Sequence, residues 1–177
     1  KTLPRDSYLS EAQFNAEYPA IFESDWVCIG RSESLPNPGD YLAVRLKEQS
    51  LLIVRAEDGN LSAFFNVCRH RGTELIALPD PGPVTGTFER NIVCPYHAWT
   101  YGLDGALKGI PGQAAFPGLD KQEHGLVEVS AREFGGLIYV QQIGQISDEA
   151  LSDKPHFFTP DQVCFDQSEV ADNANWK

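Results

Sequence analysis

The 177-residue sequence contains no methionine and only four cysteines. No apolar run approaches the ~20 residues of a membrane-spanning helix, and residues 1–30 lack the basic stretch and apolar segment of a secretory leader. Membrane partners are therefore not expected. Positive charge is scarce as well: 14 Lys and Arg stand against 25 Asp and Glu, a net charge of -11. So acidic a chain has little with which to neutralise a phosphate backbone, which excludes nucleic acid as the expected partner. The cysteines, at 28, 68, 94 and 164, are too few and too dispersed for a disulfide-built secreted scaffold. A cytoplasmic location is expected. The missing methionine leads us to expect that the natural start lies outside this sequence.

What is present is an ordinary globular composition, 42% hydrophobic and 22% charged. Ser10-Glu11-Ala12-Gln13 reads as a capping box. Phe14, Tyr18, Ile21 and Phe22 follow at helical spacing, so a short helix is expected, interrupted at Pro19 and ending near Asp25. The period then changes to two. Strands are expected over 26–30, 41–46, 50–55, 61–67, 91–94, 98–101, 106–108, 125–130 and 134–141, separated by polar turns such as Glu57-Asp58-Gly59-Asn60 and Leu103-Asp104-Gly105. Short strands at this spacing predict a mainly β fold, an antiparallel sandwich or barrel. Residues 79–86, rich in Pro and Gly, are expected to form an exposed loop. Beyond about residue 145 the alternation fades into an acidic tail, with one helical turn at 148–151.

Two short clusters carry the chemistry. Cys68-Arg69-His70 and Cys94-Pro95-Tyr96-His97 each place one thiol and one imidazole on a tight loop, with 23 residues between His70 and Cys94. Two thiolates suit one iron of a [2Fe–2S] unit, and two neutral imidazoles suit the other. A tetrahedral Cys2His2 zinc site is the competing reading, although zinc fingers pair Cys with Cys and His with His along the chain. Cys28 and Cys164, each among apolar neighbours, read as small buried thiols. Trp99 and Tyr101 read as core residues alternating with His97 on one strand face, with shielding of the metal as the alternative. Arg69 and Arg71 either orient a partner's carboxylate or are simply solvated. Gly109-Ile110-Pro111-Gly112 either covers the metal or makes a plain turn.

The segments 66–72 (Asn-Val-Cys-Arg-His-Arg-Gly) and 94–101 (Cys-Pro-Tyr-His-Ala-Trp-Thr-Tyr) resemble the cluster loops of the Rieske non-haem iron oxygenases, the α subunits of ring-hydroxylating dioxygenases and related monooxygenases. The likeness extends to Ile21-Phe22 with Asp25-Trp26, and to Gly39-Asp40-Tyr41. It implies a Rieske-type β sandwich or barrel with a small cluster-binding subdomain and a short N-terminal helix. It also implies that Cys68 and Cys94 bind the inner iron of a [2Fe–2S] cluster, and His70 and His97 the outer one. The loop between the two clusters is longer than the family's usual one.

The resemblance further implies a division into residues 1–33, an N-terminal helix and first strand; 34–144, the Rieske domain; and 145–177, a tail leading toward a catalytic domain. That domain's mononuclear non-haem Fe(II), held by two His and a carboxylate, has no counterpart here: His124 and His156 lie 32 positions apart. The implied role is one-electron relay from a reductase or ferredoxin to the mononuclear iron of the same or an adjacent subunit, within an O2-dependent oxidoreductase. The rival readings are a self-contained Rieske ferredoxin and a structural zinc module. Faint echoes of choline- and betaine-type oxygenases lie in Gly72-Thr73 and 99–101.

Overall fold

The computed structural model describes residues 2–79 and 82–143. Two short helices open the chain, α1 (Asp6–Leu9) and α2 (Glu11–Glu17), followed by a π-helical turn over Tyr18–Glu23. Ser10 caps α2, its hydroxyl accepting the Gln13 N–H at 3.2 Å. The Gln13 side chain bonds forward to Glu17 and does not return to the cap, so only half of the expected box forms. Pro19, which cannot donate a helical hydrogen bond, sits where α2 gives way to the wider π turn. Tyr18 reaches across to the sheet, donating its hydroxyl to the Leu46 carbonyl at 2.6 Å.

Ten strands follow among the described residues: β1 (Val27–Arg31), β2 (Asp40–Leu46), β3 (Gln49–Arg55), β4 (Leu61–Phe65), β5 (Val84–Thr87), β6 (Asn91–Val93), β7 (Thr100–Gly102), β8 (Leu107–Gly109), β9 (Glu128–Phe134) and β10 (Leu137–Gln141). Seven make a curled antiparallel sheet in the order β1-β10-β9-β4-β3-β2-β5, and three make a small sheet, β6-β7-β8. The fold is mainly β, as the spacing of turns predicts. β3 explains why two cores coexist. Its Leu51 and Ile53 pack with Leu42, Ile138 and Val140, while Leu52 and Val54 pack with Phe64, Ile92 and Tyr101. An alternating strand buried on both faces reads as an unbroken apolar run. The second core joins the small sheet to the large one, and it contains Cys68, Cys94 and Trp99.

Several expectations need correction. Residues 84–86, placed in the exposed loop, belong to β5, which pairs with β2 as an edge strand. Pro83 precedes the strand and β5 is an edge, so no ladder hydrogen bond is lost to proline. The expected strand 134–141 is divided by Gly135-Gly136, both at positive φ, which form the two-residue turn between β9 and β10. Cys28 is exposed, because β1 is an edge strand and its pairing slips between Cys28 and Gly30. The helical turn expected at 148–151, and Cys164 and His156, lie outside the described residues.

Candidate metal centre

The first loop leaves β4 through Asn66, which is fully buried and fully bonded. Its side-chain N–H groups donate to Ser50 Oγ (2.9 Å) and the Ile76 carbonyl (2.6 Å), and its Oδ1 accepts the Ile76 N–H (3.0 Å). That side chain clamps the returning limb of the loop to the start of β3. Beyond it the loop closes on itself: the Cys68 N–H donates to Thr73 O (2.8 Å) and the Gly72 N–H to Cys68 O (3.0 Å). Gly72 takes φ 72°, a conformation that a side chain disfavours. Cys68 is left pointing inward and buried, and His70 lies half-buried beyond it.

The second loop is built alike. Cys94 N–H donates to Trp99 O (2.9 Å) and Ala98 N–H to Cys94 O (3.0 Å), with Ala98 held in the left-handed region at φ 55°. This turn delays the strand expected at 98, so β7 begins at Thr100 and His97 sits on the turn, off any strand face. Cys94 is buried and His97 half-exposed.

The two loops bring the predicted residues together in pairs, imidazole to imidazole and thiol to thiol. The His70 and His97 rings stand 4.8 Å apart at 68°. Cys68 and Cys94 are free thiols in one core. Burial pushes the Cys68 thiol up, with Cys94 adding to the rise, and burial lowers the His70 imidazole, helped by His97 and Arg71. His70 is therefore neutral at pH 7, as a metal-binding imidazole must be. Its Nδ1 is buried without a hydrogen-bond partner. A buried nitrogen so exposed to desolvation cost is what a missing metal bond would leave. Among the described residues no three His, Cys, Asp or Glu side chains converge on a point where one ion could sit. Each loop contributes one thiol and one imidazole, a donor set of two soft thiolates and two imidazoles that suits two irons. The residues present suit a [2Fe–2S] cluster.

The surroundings of the neighbouring residues differ. Trp99 and Tyr101 are core residues, and both also touch the predicted ligands. The Trp99 ring stacks parallel on His70, and the Tyr101 hydroxyl lies 3.2 Å from Cys68 Sγ while accepting the Arg69 N–H at 3.1 Å. Arg69 and Arg71 are exposed. Gly109 ends β8 and Pro111-Gly112 form a turn, with Ile110 between them buried in the core, and Phe116 just beyond meets His70 edge-on at 5.8 Å. Phe116 was missed from the sequence: it stands in an aperiodic stretch with no signal beyond its own aromaticity.

A model of the Rieske [2Fe-2S] domain matches residues 25–129. The chain belongs to the Rieske [2Fe–2S] domain family, and a [2Fe–2S] cluster is the cofactor of such a domain. It is 34% identical to the glycine betaine monooxygenase oxygenase subunit of Chromohalobacter salexigens, over 99% of this chain and 39% of that protein. It is 34% identical to the carnitine monooxygenase oxygenase subunit of Acinetobacter baumannii, over 78% and 36%. The large oxygenase component of the Pseudomonas aeruginosa naphthalene 1,2-dioxygenase system is 36% identical over 82% and 31%. Among solved structures, the quaternary ammonium Rieske monooxygenase CntA with L-carnitine superposes at a TM-score of 0.77, with 31% identity over 88% of this chain and 42% of that one. The chain thus spans about two fifths of the length of these curated relatives.

Proposed function

We propose that Cys68 and Cys94 hold one iron of the cluster and His70 and His97 the other, and that the chain is the electron-carrying domain of an oxygenase subunit. The observation that carries this reading is the approach of the His70 and His97 rings to 4.8 Å together with two buried thiols in one core, with His70 Nδ1 buried and unpartnered. When bound, the cluster supplies a one-electron redox couple whose potential neutral ligands raise above that of an all-Cys centre. The chain's own residues do the rest. Asn66 fixes the first loop, the Cys94–Trp99 and Ala98–Cys94 hydrogen bonds fix the second, and Tyr101 donates toward a ligand sulfur. Burial of both thiols keeps water from the sulfur side, whereas the half-exposed His97 leaves the imidazole side open to a partner.

In this reading a reductase or ferredoxin delivers the electron, and a mononuclear iron in the catalytic domain of the same or an adjacent subunit receives it. One solved relative, the quaternary ammonium Rieske monooxygenase, is described with inter-subunit electron transfer, which supports the second route. Residues 1–33, 34–144 and 145–177 then serve as N-terminal segment, cluster domain and link to that catalytic domain. No helix among the described residues is long and apolar enough to cross a membrane, and in this reading the protein lies in the cytoplasm. The glycine betaine and carnitine monooxygenases make quaternary ammonium compounds the first substrates to test with the longer protein.

The test is reconstitution under anaerobic conditions, followed by iron and sulfide analysis, visible absorption and reduced-state EPR. Cys68→Ala, Cys94→Ala, His70→Ala and His97→Ala should each lose the coloured, EPR-active centre. Retention of the centre in any one of them would remove that residue from the ligand set.

A further inference from the structure

We propose that Trp99 is a positioning residue: its indole fixes the plane of the His70 imidazole and so the direction of that ligand's bond to iron. The inference deepens the four-ligand reading and rests on it. Metal-binding histidines are ordinarily oriented by a hydrogen bond from the outer ring nitrogen to a carboxylate or carbonyl. In His70 the buried, unpartnered nitrogen is Nδ1, the one left for iron, and among the described residues no hydrogen bond from this ring to a carboxylate or carbonyl is seen. What surrounds its ring is aromatic. The Trp99 ring lies parallel to it, interplanar angle 0° at 4.8 Å between centroids, while Phe116 and His97 meet it edge-on at 5.8 Å and 4.8 Å. The parallel face of Trp99 sets the plane, and the two edges limit sliding within it.

For a ring to orient another, its own position must be fixed first. Trp99 is 2% exposed. Its carbonyl accepts the Cys94 N–H, so the backbone of this residue shapes one ligand loop while its side chain faces the other. The left-handed Ala98 turns the chain so that Trp99 re-enters the core directly after His97. Phe116 packs edge-on to the indole at 5.8 Å, and His124 lies edge-on beyond it at 6.3 Å, its Nδ1 tied to the Asp120 carbonyl at 2.7 Å. A rigid indole thereby links the Cys94 loop to His70 without a polar contact.

The experiment uses the cluster-loaded chain, with histidine labelled by 15N, and pulsed EPR of the reduced state. Wild type should show two histidine nitrogen couplings; their absence would defeat the ligand assignment itself, whatever the variants do. Trp99→Phe keeps a flat face against His70 and should preserve both couplings. Trp99→Leu removes it and should shift one coupling and leave the other, with a midpoint potential displaced in the same variant. A purely structural role would lower thermal stability in the Leu variant yet leave both couplings unchanged, and that result overturns the proposal. Should Trp99→Leu fail to load, Trp99→Met fills more of the volume without a ring and carries the same prediction. Loss of the cluster in Leu and Met with retention in Phe supports the proposal; loss in all three overturns it, because a phenyl face should suffice.

Discussion

Tyr101→Phe removes one oxygen from the least exposed side of the proposed centre. The side chain is fully buried, and its hydroxyl stands 3.2 Å from Cys68 Sγ. Burial drives the phenol's pKa far up, with the bond to Cys68 adding, so the group is protonated throughout and acts as a donor once the sulfur is a thiolate. Hydrogen bonds to charged acceptors contribute about 1.5–3 kcal/mol. The bond strengthens when the cluster gains an electron, and a difference of about 1 kcal/mol between redox states equals about 40 mV for one electron. Losing it should lower the midpoint potential by about 40–70 mV. The cost in stability should be near 1 kcal/mol, because the orphaned Arg69 N–H belongs to an exposed residue that water can reach. Film voltammetry on protein of measured iron content reads the shift, with Tyr139→Phe, on the distant β10, as the control. A fully loaded Tyr101→Phe whose potential matches wild type within about 10 mV, or lies above it, would refute the argument that this hydroxyl donates to a ligand sulfur.

Other outcomes follow from the same geometry. Asn66→Ala strands the Ile76 N–H and carbonyl and Ser50 Oγ, so it should destabilise the domain by about 2–4 kcal/mol in urea titrations and speed cluster loss to a chelator. Glu133, hydrogen-bonded by Arg55 across the large sheet, has its carboxyl pKa lowered. A depressed carboxylate stabilises the fold above its unfolded pKa and loses that contribution as pH falls through the folded one. Glu133→Gln should therefore be less stable at neutral pH and show a flatter acid limb in pH-dependent thermal melts. Cys28→Ser should keep full cluster content, being exposed on an edge strand, whereas Cys94→Ala should hold none by iron analysis. Supplied with a reductase, O2 and glycine betaine or carnitine, the 177-residue chain should form no oxygenated product above a free-iron control, by mass spectrometry.

The loops were legible because their chemistry is local. A Cys and a His two or three positions apart on a tight turn are visible in one dimension, and the structure brings the two rings together and the two thiols into one core. The strands were legible where one face is polar, and least so where context decided. Val84–Thr87 is short and follows three prolines, and only its partner β2 makes it a strand. The Gly135-Gly136 turn hid inside an apolar run because glycine's positive φ leaves no hydropathy signal. The environment of the ligands was legible only in outline: Trp99 and Tyr101 stood as candidate shields of the metal, but their particular contacts with His70 and Cys68, and that of Phe116 with His70, are made across long stretches of sequence.

The unlike ligation of two irons is the central claim, and Mössbauer spectroscopy of the oxidised, 57Fe-loaded chain tests it most directly. Thiolate- and imidazole-bound irons differ in electron density, so two quadrupole doublets of equal area should appear, and on reduction only one should change its valence. A single doublet would mean two irons with like ligands, and the assignment of Cys68 with Cys94 to one and His70 with His97 to the other would fail.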